Sequence, residues 1–232
     1  MCKLSKELDK PKLIVWSGGL DSTALVIDAV KLGLPFNTVY FNIGNNSYKG
    51  KIEIAAREKI KKALIERYEI TGWVDRVIDI ATVGPGVGGQ ALIWLFGLAS
   101  LNTSGYDEIQ MGYIRGDDLW HIKREFIEAY KAMKAVSNSA EEPAPLVFPI
   151  EWHTKEDIAR AFSKSSFLKR IARMTWTCDI VLKKGQRACG KCHSCVDRKT
   201  KVMPILNKPM PSKKSRRKPI TGMKLSSKSR KG

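Results

Sequence analysis

Short apolar runs alternate with helical stretches about five times between Leu13 and Phe148. Parallel neighbours in a sheet need helical crossovers, so this alternation argues for a parallel sheet covered on both faces. Leu13–Trp16, Asn37–Phe41, Trp73–Ile80, Glu108–Met111 and Leu146–Phe148 read as strands. Ser22–Leu32 carries Ala24, Leu25, Ala29 and Leu32 at helical spacing, with Gly33 as its stop. Lys51–Tyr68 places Ile52, Ala56, Ile60, Ala63 and Leu64 on one face and charges on the other. A glycine-rich loop, Val83–Gly89, leads into an apolar helix over Gln90–Leu101, and His121–Val136 is a further helix. Thr154-x-x-Asp157 is a capping box opening a helix that runs to about Lys164. The expected fold class is α/β, with a Rossmann-like parallel sheet and a small C-terminal module.

Hydrophobic content of 43% can fill a core, which argues against a disordered or fibrous chain. The longest apolar-leaning stretch, Ala91–Leu101, is far too short to span a bilayer, and the first residues lack an apolar signal core. A cytoplasmic protein without a membrane partner is the expectation. The formal net charge is +18, and 12 of the 41 Lys and Arg lie between Lys199 and Gly232, where there is no acid. Residues 1–198 then carry only +6. After Asn207 almost nothing can be buried, so a disordered basic tail is expected. Such a tail is either a solvated extension or a tether to RNA, DNA or another acidic partner.

Ser17-Gly18-Gly19-Leu20-Asp21-Ser22 falls between the first strand and the first helix. Two glycines let the backbone turn sharply and approach a ligand, and the helix start offers free N–H groups and a positive dipole end. With the hydroxyls of Ser17 and Ser22, this nest suits a pyrophosphate. The plain alternative is a glycine turn with a serine N-cap. The position favours a ligand, because open α/β sheets bind at the carboxyl ends of their strands. No Gly-Lys-Ser/Thr closes the loop, which separates it from the Walker A pattern.

Four of the five cysteines, Cys178, Cys189, Cys192 and Cys195, fall within 18 positions, whereas Cys2 reads as a plain thiol. In a cytosolic chain such a cluster points to metal before disulfides. Four thiolates suit tetrahedral zinc; an iron–sulfur cluster and metal-free thiols are the rivals. His193 is a conceivable fifth candidate.

Ser-Gly-Gly-x-Asp-Ser after an apolar strand resembles the PP-loop of the ATP pyrophosphatases, whose fold is of the PP-loop/HUP type. That loop together with Cys189-Gly190-Lys191-Cys192-His193-Ser194-Cys195-Val196-Asp197-Arg198 resembles the 7-cyano-7-deazaguanine synthase (QueC-like) family. Leu146–Ile150 with Thr154-Lys155, and Thr175-Trp176-Thr177-Cys178, resemble further family elements over about residues 12–206. The resemblance implies a ligase that adenylates 7-carboxy-7-deazaguanine with ATP, admits ammonia, and activates the amide again to leave a nitrile for queuosine or related deazaguanines. It implies an ATP site at Trp16, Ser17, Gly18, Gly19, Leu20, Asp21, Ser22, Thr23, Ala24, Leu25 and Val26. Asp21, Ser22 and Lys155 would be catalytic, with Asp21 assisting Mg or ordering the loop. Lys155 is otherwise an exposed helix-start lysine. Cys178, Cys189, Cys192 and Cys195 would hold a structural Zn.

Two segments depart from the family pattern. Val87-Gly88-Gly89-Gln90 stands where the family has Pro-x-Arg-Asn, and Gly112–Trp120 replaces its substrate loop. Gln90, Gly112, Tyr113, Asp117 and Asp118 are the candidate substrate contacts. The acids could meet a guanine-like edge while Tyr113 or Trp120 stacks on a flat base; alternatively this is a surface loop with Trp120 packed beneath it. The implied organisation is residues 1–174 as the ATP-binding domain, 175–206 as the zinc module and 207–232 as the tail, with a homodimer as an open expectation. Another PP-loop enzyme acting on tRNA, a thiolase or lysidine-type ligase, and a non-catalytic nucleic-acid-binding protein are the competing readings.

Overall fold

The computed structural model describes residues 10–44, 47–80, 90–137, 142–181 and 187–209. The glycine-rich loop Val83–Gly89, Cys2, the side chain of Asp118 and residues 210–232 of the tail lie outside the described residues. Strands β1 (Lys12–Val15), β2 (Phe36–Ile43), β3 (Asp75–Ile80), β4 (Ile109–Met111) and β5 (Leu146–Val147) form one sheet in the order β3-β2-β1-β4-β5. Every pairing in it is parallel. The chain winds outward from β1 to β3, then crosses back to β4. That reversal opens a crevice at the carboxyl ends of β1 and β4, where doubly wound sheets take their ligands.

The helices are α1 (Leu20–Leu32), α2 (Ser47–Tyr68), α3 (Gln90–Ser100), α4 (Lys123–Val136), α5 (Lys155–Phe162), α6 (Ser166–Met174), α7 (His193–Asp197) and α8 (Met203–Leu206). The pleat of β1 divides the core. Ile14 and Trp16 face a cluster that takes in residues of α1, α2, α5 and α6. Leu13 and Val15 face the other cluster, with Trp94, Leu95 and Leu98 of α3 and Phe126 and Tyr130 of α4. Both faces are therefore covered, as a parallel sheet requires.

Local signals set the ends of the elements. Gly33, at φ 64°, sends its N–H back to Ala29 and Val30 and stops α1. Thr154 and Asp157 form both halves of the capping box at α5. Three expectations change. Helix α1 starts at Leu20 rather than Ser22, capped by Gly19 with no side-chain bond, so the serine N-cap is not formed. The stretch from His121 resolves into a 3-10 turn over Asp118–Ile122 followed by α4 from Lys123. Helix α5 ends at Phe162, and Ser165 caps α6, a helix not foreseen in the sequence, by accepting from Leu168 N at 3.1 Å.

Candidate functional site

The glycine loop is fixed from beneath. Trp16 is fully buried; its N–H bonds to Val39 O at 2.8 Å and its Nε1 donates to Thr23 Oγ1 at 3.0 Å, tying the strand end to the first turn of α1. Gly18 has φ +78°, and a Cβ there would lie 2.9 Å from Arg57 Cγ and 3.1 Å from Glu53 O. Gly19 N donates to Ser17 Oγ at 3.2 Å, and the Ser17 and Ser22 hydroxyls lie 3.1 Å apart. The first turn of a helix carries N–H groups with no intrahelical acceptor, and here Ser17, Gly19, Leu20 and Asp21 bring that end to a cleft.

Lys155, the first residue of α5, reaches across to Asp21 at the start of α1 and hydrogen-bonds to its Oδ2. It lies 3.6 Å from Asp117 Oδ1. Burial alone opposes the Lys155 charge, but the carboxylates of Asp21 and Asp117 outweigh it and hold the ammonium above its ordinary range. Burial pushes the Asp21 carboxyl upward, and Lys155 opposes that shift. Among the described residues, nothing hydrogen-bonds to the buried Asp21 Oδ1, an atom that a cation would satisfy. Asp117 Oδ2 accepts from Ile114 N at 3.0 Å, which locks the turn carrying it.

The opposite wall comes from α2. Lys49 Nζ donates to Gln90 Oε1 at 3.1 Å and lies 3.4 Å from Asp179 and 3.7 Å from Glu53. Glu53 accepts from Tyr40 Oη, and its burial drives the carboxyl upward against the pull of Lys49. One turn on, Arg57 is buried between the rings of Trp16 and Tyr40 at 5.0 and 5.1 Å, and pairs with Asp75. This buried cation underpins the glycine loop.

The four cysteines converge. Their sulfurs all lie within 4.8 Å of one another, and Cys189 Sγ is 3.9 Å from Cys195 Sγ. Tetrahedral Zn–S bonds of about 2.3 Å imply S···S separations of about 3.8 Å, so the four can bind one metal ion. Backbone N–H groups of Cys192 and Lys191 draw the Cys189 thiol down to about 6, whereas burial pushes Cys195 up to about 12. His193 projects outward with its side chain 81% exposed and is not a fifth ligand. The module is docked onto the glycine loop: Trp176 N donates to Gly18 O at 3.0 Å. Arg198 clamps it to the end of α6 through Thr175 Oγ1 and Ala172 O, both at 2.9 Å.

Loop, α2, α5 and cysteine module thus enclose one cleft of about 130 Å³. A family model described as queuosine biosynthesis protein QueC matches residues 90–203. Over those residues the chain is similar to the QueC family. It is 25% identical over 215 residues to the 7-cyano-7-deazaguanine synthase of Pseudoalteromonas atlantica, over 80% of this chain and 90% of the relative. It is 23% identical over 214 residues to the 7-cyano-7-deazaguanine synthase of Aliarcobacter butzleri, over 83% and 90%. The QueC match takes in Gln90, the Asp117 turn, Lys155 and all four cysteines; the loop at Ser17–Ser22 precedes it.

Of the residues picked out in the sequence, Ser17, Gly19, Leu20, Asp21, Gln90 and Lys155 line the cleft. Trp16, Thr23, Leu25 and Val26 have at most 2% of their surface exposed, so they carry the loop from within the core and offer no surface to a ligand. Ala24 faces a second cavity, between α1 and α5. Gly112 is pressed on the start of α1, where a Cβ would lie 2.7 Å from Ser22 Cα. Tyr113 packs edge-on against Phe148, and Trp120 against Trp152 at 4.9 Å, both away from the cleft. Lys49, Glu53, Asp179, Ser194 and Asp197 join the lining unforeseen. One signal for Glu53 and Arg57 was present, since two charges interrupt the apolar stripe of α2 at i and i+4.

Proposed function

We propose that this chain is an ATP-dependent carbon–nitrogen ligase that converts 7-carboxy-7-deazaguanine and ammonia to 7-cyano-7-deazaguanine, for queuosine or a related deazaguanine nucleoside. The observation that carries the reading is the Lys155–Asp21 pair facing Ser17 and Gly19 in a single cleft. Adenylation places growing negative charge on a departing pyrophosphate, and electrostatic donors aimed at it lower the barrier. The free N–H groups of the first α1 turn, the Ser17 hydroxyl and the Lys155 ammonium supply those donors, and Ser22 Oγ, bonded to Ser17 and Gly19, holds the loop in shape. Asp21 holds Lys155 in position, and its unsatisfied Oδ1 is the atom to hold a magnesium ion, whose charge would offset that of the phosphates.

Gln90 lies in the cleft and Asp117 borders it, so these two residues are best placed to hold the carboxylated base. Tyr113 and Trp120 are engaged with other rings. The cysteine tetrad is the zinc site. Zinc there supplies folding free energy, and four thiolates leave no open position for a reacting water. That closed shell disfavours a cluster-dependent tRNA thiolase. The test is pyrophosphate release by the full chain given ATP, magnesium, ammonium and the carboxylate. Release that requires the carboxylate is expected; ATP consumption indifferent to it would overturn the reading.

A further inference from the structure

Charge is divided along the chain more sharply than the tail alone suggests. Residues 164–232 hold 21 of the 41 Lys and Arg but 2 of the 23 acids, so residues 1–163 carry a net −1. The excess therefore begins in the folded protein, at α6. The two acids, Asp179 and Asp197, are engaged by Lys49, Ser194 and Lys201. Among the described residues, no acid forms an ion pair with Lys169, Arg170 or Arg173 of α6.

Side-chain contacts make those groups continuous. Arg67, at the end of α2, and Arg170 of α6 both lie over the ring of Phe167, at 6.0 and 5.3 Å. One turn along α6, Arg173 donates to Leu206 O and to Asn207 Oδ1, both at 3.3 Å. Lys169 donates to Lys208 O at 2.5 Å. Arg67, Arg170, Arg173 and Lys208 are all exposed. The strip ends where the chain leaves α8, and the sequence beyond it adds nine more Lys and Arg and no acid.

We propose that this strip binds the phosphate backbone of a nucleic-acid strand. Guanidinium groups match phosphate oxygens in fork geometry, and Arg stacked on an aromatic ring recurs where strands are held without sequence preference. A protein partner would need an apolar centre to the interface. Among the described residues, none of the exposed large hydrophobics lies on α6 or α8, and Phe167 is capped by its two guanidiniums. The proposal is independent of the reaction assigned to the cleft.

The test uses the full chain and a fluorescent single-stranded RNA of about 20 nucleotides, titrated by anisotropy at several salt concentrations. The variant combines Arg67→Gln, Arg170→Gln and Arg173→Gln and leaves every residue after 208 unchanged. Each lost phosphate contact removes about 0.7 from the slope of log K against log salt for single strands. The variant is expected to bind at least tenfold more weakly, with a slope shallower by about 2. Equal affinity and slope in the two proteins would overturn the proposal. So would wild-type binding to polyglutamate as tight as to RNA, which would assign the strip to acidic proteins. Should the triple variant lose its cooperative melting transition, Arg170→Gln alone decides, because among the described residues Arg170 makes no hydrogen bond or ion pair and lies only over the ring of Phe167. A twofold to threefold loss is then expected, and none would overturn the proposal.

Discussion

Lys155 and Asp21 meet as an ion pair although 134 residues of chain separate them. The first residue of α5 is thereby held against the first turn of α1, where two helix starts point at one cleft. Replacing Lys155 with Met removes the cation proposed to stabilise the departing pyrophosphate. Turnover should fall about 100-fold or more, while the melting transition stays cooperative. Pyrophosphate release and thermal melting measure both, and retained turnover would remove Lys155 from the chemistry.

Gly18 has no room and no backbone freedom to spare. At φ +78° an L side chain is strained, and its Cβ would press on Arg57 Cγ and on Glu53 O. Gly18→Ala should cost about 1–3 kcal/mol, read from the denaturation midpoint. ATP affinity should fall more than tenfold, because the loop cannot keep its turn. Unchanged nucleotide affinity would place the loop outside the site.

Glu53 makes stability depend on pH in a definite direction. Burial raises its carboxyl above the ordinary value. Between the unfolded and the folded pKa the native state holds the extra proton, so stability falls as pH rises through that window. Glu53→Gln should flatten that part of the melting-temperature profile while keeping a hydrogen bond to Tyr40. A slope identical to that of the wild type would show that Glu53 is not the titrating group.

These tests bear on residues that were unequally legible in the sequence. The glycine loop spans six residues and the cysteine tetrad 18, so both lie close enough in the chain to be read directly. Lys155 was visible as a Thr-Lys helix start, but its partner was not, because only the return of the chain from β3 to β4, beside β1, brings α1 and α5 together. Glu53 read as part of the charged face of the helix expected over Lys51–Tyr68, and Lys49 lay before that helix; both instead line the cleft. Tyr113 and Trp120 had the chemistry for stacking on a base, yet the rings of Phe148 and Trp152 already occupy them. Side-chain direction of this kind is decided by tertiary packing, which period and composition do not carry.

The cysteine module should stabilise more than itself. Trp176 bonds to the backbone of Gly18, and Asp179, next to Cys178, meets Lys49 across the cleft. Cys192→Ser should release the metal, lower the melting temperature by several degrees, and weaken ATP binding without touching a nucleotide contact. A metal assay, melting curves and calorimetry with ATP test the three parts. Wild-type ATP affinity in a metal-free, folded variant would contradict the coupling.

The reaction proposed for this cleft turns a carboxylate into a nitrile. Mass spectrometry of the product formed from 7-carboxy-7-deazaguanine, ATP and nitrogen-15 ammonium tests it directly. The expected product is 7-cyano-7-deazaguanine carrying the heavy nitrogen, accompanied by AMP and pyrophosphate. Recovery of unchanged carboxylate, or of the labelled amide as the final product, would contradict it.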